Sequence, residues 1–163
     1  MKINSANIND KEQILDILYE IAENLRSKKI IQWQEWLSPS KNDHKWIDEL
    51  IKNESFYLIE KDDTIIGVFS LSENDNKYWG SSNDKAKYLH SLAVLPKYKN
   101  QKIGKNVINL IKADLKDKKY NYLRLDCISS NQKLKLYYKN QGFNEVGIVN
   151  LGVNNFTLFE YLV

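Results

Sequence analysis

Residues 86–110 read AKYLHSLAVLPKYKNQKIGKNVINL, and the fold turns on this stretch. Residues 88–94 alternate and are β-rich, and the run stops at Leu95-Pro96. A short basic loop, residues 97–102, comes next. Gly104 then opens an apolar-periodic helix through Val107, Ile108 and Ile111. Strand, loop, glycine and helix start, in that order, make an anion seat. The first N–H groups of a helix have no intrahelical partner, the helix dipole adds positive charge, and a residue without a Cβ lets a phosphate come close. Lys97, Lys99, Lys102 and Lys105 ring the same place. The stretch reads as the seat of a cofactor's diphosphate, and the remaining chain as what presents a substrate to that cofactor.

At 163 residues, a single domain over residues 1–163 is expected. The composition, 42% apolar and 28% charged, is that of a globular protein. A net charge of +3 is too small to argue for nucleic acid or membrane. Its distribution says more. Residues 96–120 hold eight lysines against Asp114 and Asp117, whereas residues 1–60 hold eleven acidic and eight basic side chains. A basic middle and an acidic first third suit a polyanionic cofactor and a cationic second substrate. No aromatics interleave with the lysines, so no nucleic-acid partner is expected. The single cysteine, Cys127, excludes an intrachain disulfide and any CxxC motif, and reads as an inert buried thiol. No ligand run has metal spacing, so no metal is expected. Polar residues interrupt every apolar run, so no signal peptide or membrane span is expected and the cytoplasm is the expected compartment.

Outward from the central stretch, residues 2–6 read as a first strand. Asn9 or Asp10 caps a helix bearing Ile14, Leu15, Leu18, Ile21, Ala22 and Leu25. Residues 30–37, IIQWQEWL, are irregular, and Asp43 caps a second helix through Trp46, Ile47, Leu50 and Ile51. Residues 56–60 and 64–71 form a hairpin turning at Asp62-Asp63, followed by a polar loop over 72–85. After the central stretch come a strand at 122–128 and a helix from Asn131 to Gln141 closed by Gly142. Strands at 143–151 and 156–163, with a turn near Asn154-Asn155, finish the chain. The order βααβββαβαββ predicts an α/β fold with a mixed sheet and helices on both faces.

Three pieces of this chain resemble the GNAT superfamily of acyl-CoA-dependent N-acetyltransferases: YLHSLAVLP, the loop KNQKIGK, and NQKLKLYYKNQGF. The resemblance implies a central, mostly antiparallel mixed sheet with helices on both faces. It also implies direct acetyl transfer from acetyl-CoA to a primary amine of a small molecule or protein, within a ternary complex. The main chain of Leu92, Ala93 and Val94 would lie along the pantetheine arm, the Leu92 N–H polarising the thioester carbonyl. Lys99, Asn100, Gln101, Lys102, Ile103, Gly104 and Lys105 would hold the diphosphate. Lys102 stands where the family has its first glycine and Gly104 where it has its second. Asn131 would bond the arm or order a water. In relatives the final strands often mediate pairing, which implies a homodimer.

The departing thiolate needs a proton, which the family commonly takes from a tyrosine. Tyr-x-x-x-Gly-Phe counted back from Gly142-Phe143 falls on Tyr138, which shares a helix stripe with Asn131 and Leu134. An alkyl amine with a pKa of about 10.4 is almost wholly protonated at neutral pH, so a base is useful. Period two along residues 88–94 places Tyr88, His90, Leu92 and Val94 on one face. Several relatives carry a carboxylate near Tyr88; here His90 is the candidate base, with Glu73 acting through water as the alternative. Trp33, Trp79, Tyr88 and Glu73 are candidate acceptor contacts, with Trp36 and Tyr78 as further pocket walls, and Trp46 is expected in the core. The alternative function is a non-catalytic acetyl-CoA-binding sensor, motivated by Lys102 and the missing strand carboxylate.

Overall fold

The computed structural model describes residues 1–163. Seven strands form one sheet in the order β1-β2-β3-β4-β5-β7-β6. They are β1 (Lys2–Ser5), β2 (Phe56–Lys61), β3 (Thr64–Ser72), β4 (Ala86–Val94), β5 (Tyr122–Ile128), β6 (Asn144–Leu151) and β7 (Asn154–Leu162). The helices are α1 (Lys11–Ser27), α2 (Lys41–Lys52), α3 (Ile103–Asp117) and α4 (Gln132–Asn140). β4 and β5 run parallel, joined through α3; the β1–β2, β2–β3, β5–β7 and β6–β7 pairs are antiparallel. The mixed α/β class expected from the element order is what the chain adopts.

Two compact units make up the chain. The first comprises residues 1–70 and 91–104, the second residues 71–90 and 105–163. In the first, α1 buries Ile14, Ile17, Leu18, Ile21 and Ala22, an i, i+3, i+4, i+7, i+8 stripe. With Ile47 and Ile51 of α2 they cover Phe56, Leu58, Val68, Ala93 and Leu95. Burying each such side chain is worth roughly 1.5–3 kcal/mol. The cap of α2 is Ser40, not Asp43. The two residues form a reciprocal capping box, Ser40 Oγ accepting from the Asp43 N–H and the Asp43 carboxylate accepting from the Ser40 N–H at 2.7 Å. Trp46 is not core: it is about one-third exposed, its ring lying over Trp36 and Phe56. The β2–β3 hairpin turns on Asp62 and Asp63, both left-handed at φ 50° and 57°.

In the second unit, β5 is bordered by the first half of β4 and by β7. α4 ends in a Schellman motif. Gly142, at φ 84°, donates to the Lys139 carbonyl and Phe143 donates to that of Tyr138. The final hairpin turns at Gly152-Val153, two residues earlier than expected, with Gly152 at φ 76°.

β4 departs from regular alternation. Ser91 sits at φ 54°. Ala86, Tyr88 and Leu89 are buried before it, Ala93 and Leu95 after it. A left-handed residue inside a strand has the effect of a β-bulge, shifting the pleat by one residue. The single face expected for Tyr88, His90, Leu92 and Val94 therefore breaks at Ser91.

Gly67 of β3 backs onto the second half of β4. A Cβ there would run into the Ala93 carbonyl oxygen and lie 3.1 Å from Val94 Cα. Gly67→Ala is expected to cost about 2–3 kcal/mol, as forced overpacking does. A lowered urea midpoint at unchanged m-value is the readout.

Candidate active site

Beyond β4 the chain makes a short 3-10 turn at Pro96–Tyr98, closed by the Lys99 N–H on the Pro96 carbonyl at 3.1 Å. Asn100 and Lys102 are both left-handed, at φ 66° and 57°, and α3 starts at Ile103 with Gly104 in its first turn. Left-handed residues within such a turn direct successive N–H groups into one concavity, which suits an anion. Lys102 adopts the backbone conformation a glycine takes without strain, at a cost of roughly 1–2 kcal/mol for a residue with a Cβ. Lys61 Nζ donates to Gln101 Oε1 at 2.8 Å, tying the loop to the end of β2. Lys61 thereby joins Lys99, Lys102 and Lys105 around the helix start, a residue the sequence pattern did not single out. These residues fit a diphosphate: unpartnered first-turn amides, a glycine in that turn, and flanking ammonium groups. Leu92, Ala93 and Val94 lie in the half of β4 that follows Ser91, with Ala93 buried.

His90 lies between two carboxylates. Its Nε2 is 3.1 Å from Asp75 Oδ2 and its Nδ1 is 3.5 Å from Asp126 Oδ1. Asp75 is held by its own turn, Oδ1 accepting from the Tyr78 N–H at 3.2 Å. Asp126 comes from the middle of β5. Burial works against the His90 charge, but the adjacent Asp75 and Asp126 outweigh it and raise the imidazole's pKa. Asp126 is pushed up to about 6, by burial first and by Asp75 further, against the lowering effect of His90 and Lys77. The Tyr78 ring lies 5.9 Å from the imidazole and 5.1 Å, edge-on, from Phe156. Although no metal spacing shows in the sequence, folding brings ligand atoms of Asp75, His90 and Asp126 within 4.8 Å of one another. Asp75, Asp126 and Phe156 are what sequence reading missed. They lie on three separate elements, and no local pattern links them.

Asn131 caps α4, its Oδ1 accepting from the Leu134 N–H at 3.1 Å. Tyr138 is buried among Phe143, Phe159 and Tyr137, and burial pushes its phenol well above the usual range. Cys127 is buried and its thiol is pushed up to about 12, by burial and by Asp126.

The expected acceptor contacts each have partners within the chain. Tyr88 is buried, its hydroxyl accepting from Arg124 Nη1 at 3.0 Å. Trp79 stacks under the same guanidinium, 4.8 Å from its carbon. Arg124 is also paired with Asp84 and with Glu160 at 2.7 Å. Burial works against its charge, but Asp84, Tyr88 and Glu160 overcome this and hold it firmly protonated. Glu73 bonds Lys87 at 2.6 Å and the Tyr120 hydroxyl at 3.0 Å. Trp33, left-handed at φ 64°, packs against the helical core of the first unit.

The sequence profile of the Acetyltransferase (GNAT) family matches residues 16–143. The chain belongs to the GNAT acetyltransferase family. Among curated relatives, the uncharacterized N-acetyltransferase YesJ of Bacillus subtilis is 28% identical over 156 residues, 93% of this chain and 84% of that protein. A GNAT-family acetyltransferase from Listeria monocytogenes superposes with a TM-score of 0.84 at 24% identity, covering 99% of this chain and 94% of its own. A ribosomal-protein-alanine N-acetyltransferase from Brucella melitensis superposes with a TM-score of 0.69 at 16% identity, covering all of both chains. At these identities the structures attest the GNAT fold alone. No helix is long and apolar enough to cross a membrane.

The Asp126 carboxyl of this GNAT chain gives stability a pH dependence. Unfolded, an aspartate ionises near pH 3.9; folded, Asp126 keeps its proton to about 6. Stability present below pH 4 is therefore lost as the pH rises through 6, on the order of 3 kcal/mol. Asp126→Asn should flatten this fall, read from urea midpoints between pH 4 and 7.

Proposed function

We propose that the protein is an acetyl-CoA-dependent N-acetyltransferase that moves an acetyl group directly to a primary amine of a small molecule or protein. The observation that carries this reading is the left-handed, lysine-ringed loop at residues 99–104 feeding the start of α3, in a chain of the GNAT family. Acetyl-CoA would supply the acetyl group as an activated thioester.

The chain's own residues have distinct tasks. First-turn amides around Gly104, with Lys99, Lys102 and Lys105, hold the diphosphate, and Gln101 is steadied by Lys61. The main chain of Leu92, Ala93 and Val94 aligns the pantetheine arm, and the Leu92 N–H is the donor for the thioester carbonyl. A fixed donor of this kind is worth about 2.7–4 kcal/mol. Aligning two bound reactants supplies roughly 7–11 kcal/mol more. His90 takes the proton of the amine, and Asp75 and Asp126 stabilise the imidazolium that results. Tyr138 gives up its proton less readily than an ordinary tyrosine, so its task is to donate a hydrogen bond to the departing sulfur without ionising, and the proton that the attacking nitrogen sheds as the amide forms passes to that thiolate.

Two measurements test this: heat from acetyl-CoA by calorimetry at low ionic strength, and release of free thiol across an amine panel. Binding with no thiol release for any amine would favour a cofactor-binding sensor. Gly104→Val, which places a branched side chain at the helix mouth, should weaken acetyl-CoA binding at least roughly tenfold. Lys102→Gly should raise unfolding free energy by up to about 1 kcal/mol as left-handed strain is relieved, and weaken binding less than Gly104→Val does.

A further inference from the structure

We propose that Lys112 on α3 is a positioning residue for Tyr138: its ammonium fixes the last turn of α4 and the Phe143 ring, and thereby where the Tyr138 hydroxyl stands. This rests on the N-acetyltransferase reading above and goes beyond it, because the placing of Tyr138 falls to a residue about two turns along α3 from Gly104.

Tyr138 sits on a short helix. α4 has 9 residues, and a helix of that length is marginal by itself in water, so what holds its ends sets its geometry. Asn131 caps the N-terminus through the Leu134 N–H. At the other end the N–H groups of Gln141, Gly142 and Phe143 turn back on carbonyls of the last turn. The Gln141 carbonyl lies just before the left-handed Gly142, beyond the reach of the helix's own donors. Lys112 Nζ donates to it from α3. A cation at that point also meets the negative end of the α4 dipole.

The same ammonium reaches the rings around Tyr138. Nζ lies 3.6 Å from the centre of the Tyr161 ring and 4.8 Å from that of Phe143. Phe143 in turn packs edge-on against Tyr138, with ring centres 6.0 Å apart. Gln141, Gly142 and Phe143 are consecutive, so one cation holds both the helix end and the ring that follows it. Burial lowers the pKa of Lys112, and no carboxylate acts against that effect. Its attraction is therefore spent on one carbonyl and two ring faces. Lys135 and Lys139 also hold α4, through Glu145 at 3.2 and 3.0 Å. Glu145 is exposed, and ion pairs at the surface fix little.

The test pairs single-turnover kinetics with NMR on the full-length protein. Lys112→Met keeps the side chain's length and removes the cation; Lys112→Arg restores a cationic donor. In transfer from acetyl-CoA to an amine of the panel, Lys112→Met should lower the rate roughly tenfold, since a misplacement of about 1 Å can cost about a hundredfold. The half-saturating concentration of acetyl-CoA should stay unchanged, and Lys112→Arg should recover most of the rate. Added to Tyr138→Phe, Lys112→Met should cost nothing further, because two changes acting through one group are not additive. In the resting protein the Tyr138 ring signals should move in Lys112→Met and return in Lys112→Arg. Losses that multiply in the double variant overturn the proposal, as do a wild-type rate in Lys112→Met, a fully active Tyr138→Phe, or Tyr138 signals that stay in place. Should Lys112→Met not fold, Lys112→Gln carries the same comparisons. If no amine releases thiol, the N-acetyltransferase reading fails while the Tyr138 signals still decide whether Lys112 places that ring. If Tyr138→Phe is slow and Lys112→Met is not, only the role of Lys112 falls.

Discussion

Strand β4 passes through a left-handed peptide at Ser91, and most of what distinguishes this chain follows from that one backbone constraint. The division of the chain into its two units falls at the same residue. On the N-terminal side the strand pairs in parallel with β5 and carries Tyr88 and His90. On the C-terminal side it lies against Gly67 and continues into the lysine loop. A regular strand would keep one alternation from Tyr88 to Val94. The left-handed residue interrupts that alternation between His90 and the Leu92–Val94 backbone.

The second unit contains two buried ionic groups of opposite character. Arg124 is matched on every side by Asp84, Glu160, Tyr88 and Ser82, with Trp79 stacked on its face. A guanidinium satisfied in this way holds structure together, because removing one partner would strand a buried charge. Asp75, His90 and Asp126 are the reverse, two carboxylates sharing one imidazole at 3.1 and 3.5 Å. Proteins leave buried charge incompletely matched mostly where a ligand or a proton completes it.

The lysine loop shows how a departure from a family pattern can be tolerated. The left-handed conformation at residue 102 is set by the turn between Pro96–Tyr98 and α3, and a lysine adopts it as glycine would, at the cost of local strain. Its side chain adds positive charge to the helix mouth, so the energy lost in the backbone comes with a gain in electrostatics at the same place. Lys61, held on Gln101 from β2, adds to the same field.

Much of this was legible in the sequence. Hydrophobic spacing placed α1 and α2, the Asp62-Asp63 turn placed the first hairpin, and residues 122–128 were read as the strand they form, because each signal is local. Gly104 opening a helix after a basic loop was likewise readable from a dozen residues. Local spacing could not foresee the left-handed Ser91, since serine in an alternating run gives no warning of a shifted pleat. Nor could it reveal that Tyr88, Trp79 and Glu73 are occupied by Arg124, Lys87 and Tyr120. The sequence by itself determined the order of elements, the mixed sheet and the lysine-ringed helix start, all built from neighbours in the chain. Only the tertiary structure decided which polar side chains are spent on one another. Asp75, His90 and Asp126 meet only when a turn and two strands come together, and burial then makes their charges matter.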